Sequence, residues 1–105
     1  MYRLSIIVGA VALSVAAPAY ADTGLVDHTE WVNYDSRVSL RVYPTPAARA
    51  ASIDLDTAAA GEQAWREVLA HAPEADTAGM RDQFLCHWSY AELARPGKTS
   101  WNLEP

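Results

Sequence analysis

The residues of this chain best equipped for chemistry lie in two short runs. The first is Met80-Arg81-Asp82-Gln83-Phe84-Leu85-Cys86-His87-Trp88. The second is Trp101-Asn102-Leu103-Glu104-Pro105. Brought to one pocket, His87, Glu104, Arg81, Gln83 and Asn102 would offer an acid/base, an oxyanion-type donor and an amide to orient a substrate. His87 is the expected acid/base if the domain is an enzyme. The same residues read more simply as capping and core-edge groups around buried tryptophans. No nucleophile elbow, phosphate loop or metal motif accompanies them.

Cys86 beside His87 suggests a thiol nucleophile. That chemistry needs sulfur and imidazole in hydrogen-bond reach, which neighbours on one strand rarely achieve. Cys86 reads otherwise as a small buried hydrophobe or as half of a disulfide. It is the only cysteine, so no internal disulfide is available, and a Cys86-linked dimer is one expected partner arrangement. The histidines His28, His71 and His87 have no ligand partner at short spacing, so neither a metal nor a cofactor is expected.

The N-terminal residues bear on where such chemistry would happen. Arg3 precedes an apolar run from Leu4 to Ala17, Pro18 interrupts it, and Ala19-Tyr20-Ala21 gives a small-x-small cleavage pattern. This is the layout of a secretory signal at residues 1–21, cut before Asp22. The run is shorter than the ~20 residues that span a bilayer. The expected location is secreted or extracytoplasmic, with no membrane contact after cleavage. Residues 22–105 then form a single small exported domain.

Thirteen acidic residues outweigh eight lysines and arginines, one of them in the leader. The basic residues are scattered singly, and an acidic surface repels phosphate, so nucleic-acid binding is not expected. A domain of this size buries roughly 60–65 % of its unfolded surface, a thin core. Its bulk must come from Trp31, Trp65, Trp88, Trp101, Tyr34, Tyr43, Tyr90 and Phe84.

The elements that would hold the two runs follow from periodicity. Thr29 to Tyr34 and Arg37 to Tyr43 alternate as two strands, a hairpin over about 29–43. A two-residue turn at Asp35-Ser36 places Trp31 opposite Leu40, Asn33 opposite Val38 and Glu30 opposite Arg41, which gives one mostly apolar face. The spacing predicts a helix over about 57–71, with Trp65, Val68, Leu69 and Ala72 in one stripe, Asp56 as its cap and Pro73 as its stop. Met80, Phe84, Trp88 and Ala91 could mark a further helix face. The alternation of Phe84, Cys86, Trp88 and Tyr90 and the aromatic density favour a strand over about 83–91. The expected fold is α+β: a small antiparallel sheet with one main helix packed on it. Trp65, Val68 and Leu69 are expected to pack on Trp31, Val38, Leu40 and Val42.

Four stretches carry a resemblance. They are Ser39-Leu40-Arg41-Val42-Tyr43-Pro44-Thr45, Ala64-Trp65-Arg66-Glu67-Val68, Met80 through His87, and Lys98 through Pro105. Together they resemble a family of exported actinobacterial proteins classed as a domain of unknown function. That family has an S-L-R-V-x-P-T strand and Q-F-x-C-H and W-N-L-E-P-W-R-P segments. The resemblance implies location and fold but no activity. It also implies that members run past W-N-L-E-P and hold a second cysteine, so the expectation is a C-terminally incomplete domain with Cys86 an unpaired half-cystine.

Two functions fit these observations. The first is a non-enzymatic module that binds a cell-envelope component or another exported protein, with exposed Trp and Tyr as anchors. The second is a small envelope-directed hydrolase or toxin-like domain using the His87 cluster. An aromatic patch left exposed by the packed core favours the first. Convergence of His87 with a carboxylate in a cleft favours the second.

Overall fold

The computed structural model describes residues 24–105. The signal-peptide and cleavage expectations for residues 1–21 lie outside them. The described chain is α+β, with three antiparallel strands in the order β1-β2-β3. β1 is Val26–Tyr34 and β2 is Arg37–Pro44. Helix α1 is Pro46–Ser52, helix α2 is Ala58–His71, and a 3-10 turn, Pro73–Ala75, leads to helix α3, Ala78–Ala94. β3 is Trp101–Leu103.

The hairpin has the register that its alternation predicts: Trp31 faces Leu40, Asn33 faces Val38 and Glu30 faces Arg41. Its turn is Asp35-Ser36, both at positive φ (45° and 73°). That is the backbone of a two-residue hairpin turn, formed here without the glycine that usually supplies it. A bulge between Val26 and His28 shifts the start of β1.

The expected strand over 83–91 is instead the middle of α3. Met80, Phe84 and Trp88, at i, i+4 and i+8, are its buried residues, while Cys86 and Tyr90 face solvent. Thr77 caps its start, its side chain accepting the Met80 N–H at 3.1 Å. The alternating aromatics mislead because Phe84 and Trp88 are also i and i+4 on one helical face, while Cys86 and Tyr90 fall about 200° away on the other. The third strand is supplied by Trp101–Leu103, which pairs with Leu40–Val42.

Leu40 and Val42 of β2 and Trp101 and Leu103 of β3 form the buried face of the sheet, and the helices cover it with Ala48, Trp65, Val68, Met80, Phe84 and Trp88. Phe84 is the hub of the aromatic core, with ring centroids 5.5 Å from Trp65, 6.5 Å from Trp88 and 5.8 Å from Trp101. Trp31 and Val38, expected in this core, are about 40 % exposed (39 % and 42 %). Residues 33–38, around the turn, are all exposed, so the tip of the hairpin lies outside the helical cover. Asp56 does not cap α2. Thr57 stands at the cap position but directs its hydroxyl to the Ala51 carbonyl at 2.6 Å.

Candidate functional site

The two chemistry-bearing runs do meet. α3 lies against β3, and Gln83 and His87, one turn apart on α3, reach its main chain. Gln83 donates from Nε2 to the Glu104 carbonyl at 2.7 Å and accepts the Glu104 N–H at Oε1, also at 2.7 Å. His87 Nε2 lies 3.0 Å from the Asn102 carbonyl, so it carries the proton and donates it. The His87 ring also lies parallel to Trp101, centroids 6.0 Å apart at 4°. The side chains of α3 thus behave as a fourth strand along the edge of β3 that β2 leaves unpaired.

This meeting engages part of the group singled out for chemistry. Both ends of the Gln83 amide and the Nε2 of His87 are engaged by backbone. Arg81 turns the other way, to the Glu62 carboxylate on α2. Asn102 contributes its carbonyl, and Glu104 its peptide groups. Partial burial holds the His87 pKa below its ordinary value, the Asn102 carbonyl opposes that shift, and Lys98 adds to it. Neutral His87 is therefore the resting form at pH 7. Among the described residues, no group of three His, Cys, Asp or Glu side chains is placed to hold a metal ion.

Other side chains fix the frame around this contact. Glu67 of α2 accepts the N–H groups of Leu25 and Val26 at Oε1, at 2.8 and 3.0 Å, and so ties α2 to the start of β1. Glu92 of α3 accepts the Gly97 N–H with both oxygens at 3.2 Å, which closes the loop that feeds β3. The Trp88 indole N–H donates to the Thr57 hydroxyl at 3.2 Å. Gly61 of α2 lies under that indole, where a Cβ would come within 3.0 Å of it.

Cys86 is exposed on α3, on the side away from Phe84 and Trp88, not on the core face. Adjacent helical residues diverge by about 100°, so Cys86 and His87 point apart in the helix as they would in a strand. His28 stacks on Tyr43 across the hairpin, centroids 4.0 Å apart, and His71 is exposed at the end of α2.

A second surface escaped the sequence reading. At the hairpin tip a shallow groove of about 650 Å³ is lined by Tyr34, Arg37, Val38, Glu104 and Pro105. Tyr34 and Val38 are each more than 40 % exposed. Arg41 sits over the Tyr34 ring at 5.5 Å and hydrogen-bonds its hydroxyl, which fixes the ring. Alternation puts Val38 on the core face of the hairpin but does not show whether a helix reaches it.

The fold is thus a three-stranded antiparallel sheet covered by helices, with the edge of its last strand held by Gln83 and His87. Residues 26–105 match the family model described as a protein of unknown function, DUF2599, and the chain belongs to that family. It is 65 % identical over 81 residues to an uncharacterized protein of Mycobacterium tuberculosis (strain ATCC 25618 / H37Rv), covering 77 % of this chain and 54 % of that protein. The figures are the same for an uncharacterized protein of Mycobacterium bovis. An uncharacterized protein of Mycobacterium leprae is 46 % identical over 80 residues, covering 76 % of this chain and 64 % of the relative. The matched region spans about half the length of the Mycobacterium tuberculosis and Mycobacterium bovis relatives. No solved structure matches the chain.

Proposed function

We propose that this protein is an exported, non-enzymatic binding module that works in the cell envelope or outside the cell. Export is read from the leader pattern over residues 1–21. Among the described residues no helix is long and apolar enough to cross a membrane. The observation that carries the binding reading is the groove at the hairpin tip. It combines a tyrosine held by Arg41 and an arginine, residue types that anchor binding interfaces, with the apolar side chains of Val38 and Pro105. The partner is an envelope component or another exported protein.

The test is co-sedimentation of the purified protein with isolated mycobacterial cell-envelope fractions. The wild type should sediment with them, and a Tyr34→Ala/Arg37→Ala/Val38→Ser variant with unchanged circular dichroism should stay in the supernatant. Equal sedimentation of the two proteins, or none of either, counts against this function.

A further inference from the structure

β1 is an edge strand. In the β1–β2 hairpin, Tyr34 and Arg37 flank the two-residue turn and form its first hydrogen-bonded pair, and such pairs then alternate along the ladder. Val32 with Ser39 and Glu30 with Arg41 are the next. Asn33, Trp31 and Thr29 therefore turn their N–H and C=O groups away from β2. The same alternation sends Leu40 and Val42 toward β3, where they meet Leu103 and Trp101. Among the described residues no strand borders the outer side of β1. The Glu67 carboxylate covers only the start of this edge, at Leu25 and Val26. Proteins blunt long edges with proline, lysine or bulges. From His28 to Tyr34, β1 has no proline and no lysine, and its bulge lies before this stretch.

We propose that the free edge of β1 pairs with β1 of a second copy of this chain, antiparallel and with Trp31 on the twofold axis, to make one continuous six-stranded sheet. The sequence of the edge is self-complementary in this register. Trp31 meets the second Trp31, Thr29 meets Asn33, Glu30 meets Val32 and His28 meets Tyr34. No like charges oppose each other between His28 and Tyr34. A register centred on Glu30 would set two carboxylates face to face and is disfavoured. Cross-strand aromatic pairs stabilise such ladders, and Trp31, 39 % exposed, is the large apolar side chain available for one. A twofold contact of this kind uses one patch twice, as closed dimers do.

The experiment uses the protein carrying Cys86→Ser, so that no disulfide through Cys86 contributes. Light scattering after size exclusion should report a dimer at micromolar concentration. Trp31→Lys, which sets two ammonium groups on the axis, should raise the dissociation constant at least about tenfold with unchanged circular dichroism. Trp31→Cys in the same background should cross-link to a dimer on mild oxidation, because hydrogen-bonded antiparallel partners lie ~5.5 Å apart, within disulfide reach. Tyr34→Cys should not cross-link, since its opposite number is His28. If Trp31→Lys fails to fold, the cross-linking pair decides. A monomer at every concentration, a dimer indifferent to Trp31→Lys, or equal cross-linking at positions 31 and 34 overturns the assignment. Tyr34 is the one residue shared with the hairpin-tip groove; Arg37, Val38, Glu104 and Pro105 line the groove and lie off the paired edge.

Discussion

Gln83 treats Glu104 as one strand treats another: a single side-chain amide donates to the carbonyl and accepts the N–H of the same residue, both at 2.7 Å. β3 has only three residues, and β2 satisfies only one of its edges. On the other edge His87 reaches the Asn102 carbonyl, and without Gln83 the Glu104 peptide groups would be left to water. Replacing Gln83 with Ala should therefore cost about 1–2 kcal/mol, two modest hydrogen bonds at a partly exposed site. Urea denaturation measures the loss. Amide exchange at Glu104 should accelerate more than exchange in β1, and uniform acceleration would mean that the pair does not hold β3 in particular.

Acid should weaken the domain through His87. Its pKa in the folded state is lowered by burial, so the unfolded chain binds the proton more readily. The stability linked to neutral His87 is full above the ordinary histidine value of about 6.5. It is lost as pH falls from there toward the lowered folded value. The urea midpoint should drop between pH 7.5 and 5.5, and His87→Gln should show a flatter dependence. Identical slopes in the two proteins would remove His87 as the source.

Trp65 is 4 % exposed and packs on Phe84. Truncating it to Ala should cost about 3–5 kcal/mol, the range for a large buried aromatic. Chemical denaturation tests this. A loss below about 1 kcal/mol would place the indole outside the core.

Gly61 looks from sequence like a correctable weakness, since Ala is better in a helix by about 1 kcal/mol. The structure reverses the sign. An added Cβ would stand 3.0 Å from the Trp88 indole, itself buried and bonded to Thr57. Gly61→Ala should lower the thermal midpoint, whereas Gly79→Ala, with open space at its Cβ, should not.

Cys86 is exposed on α3 and should react with a thiol reagent in the native protein, one equivalent without denaturant. Labelling that needs denaturant would return the sulfur to the core. Non-reducing electrophoresis after air oxidation should show a disulfide-linked dimer that Cys86→Ser abolishes.

Much of this architecture is written locally in the sequence. The hairpin register follows from alternation and from one short turn, so Trp31 opposite Leu40 needs no distant residue to fix it. Helix α2 follows from the stripe of Trp65 and Val68 and from Pro73 beyond its end. Membership of a family of unknown function was legible in the same way, because it rests on residue identity. What escaped local reading depends on which elements meet. Met80, Phe84 and Trp88 fit a helix face, while the aromatics from Phe84 to Tyr90 also alternate. Only the placement of Trp101–Leu103 against β2 shows that the sheet takes its third strand from elsewhere. Trp31 and Val38 sit on the expected face, yet they are exposed because the helices stop short of them. Of the five residues singled out for chemistry, Gln83 and His87 meet the main chain of Glu104 and Asn102, while Arg81 turns to Glu62. Sequence shows which side chains have polar groups. Tertiary contact decided that Gln83 and His87 direct theirs to the backbone of Glu104 and Asn102, because a short edge strand has peptide groups that must be hydrogen-bonded and α3 lies within reach of them.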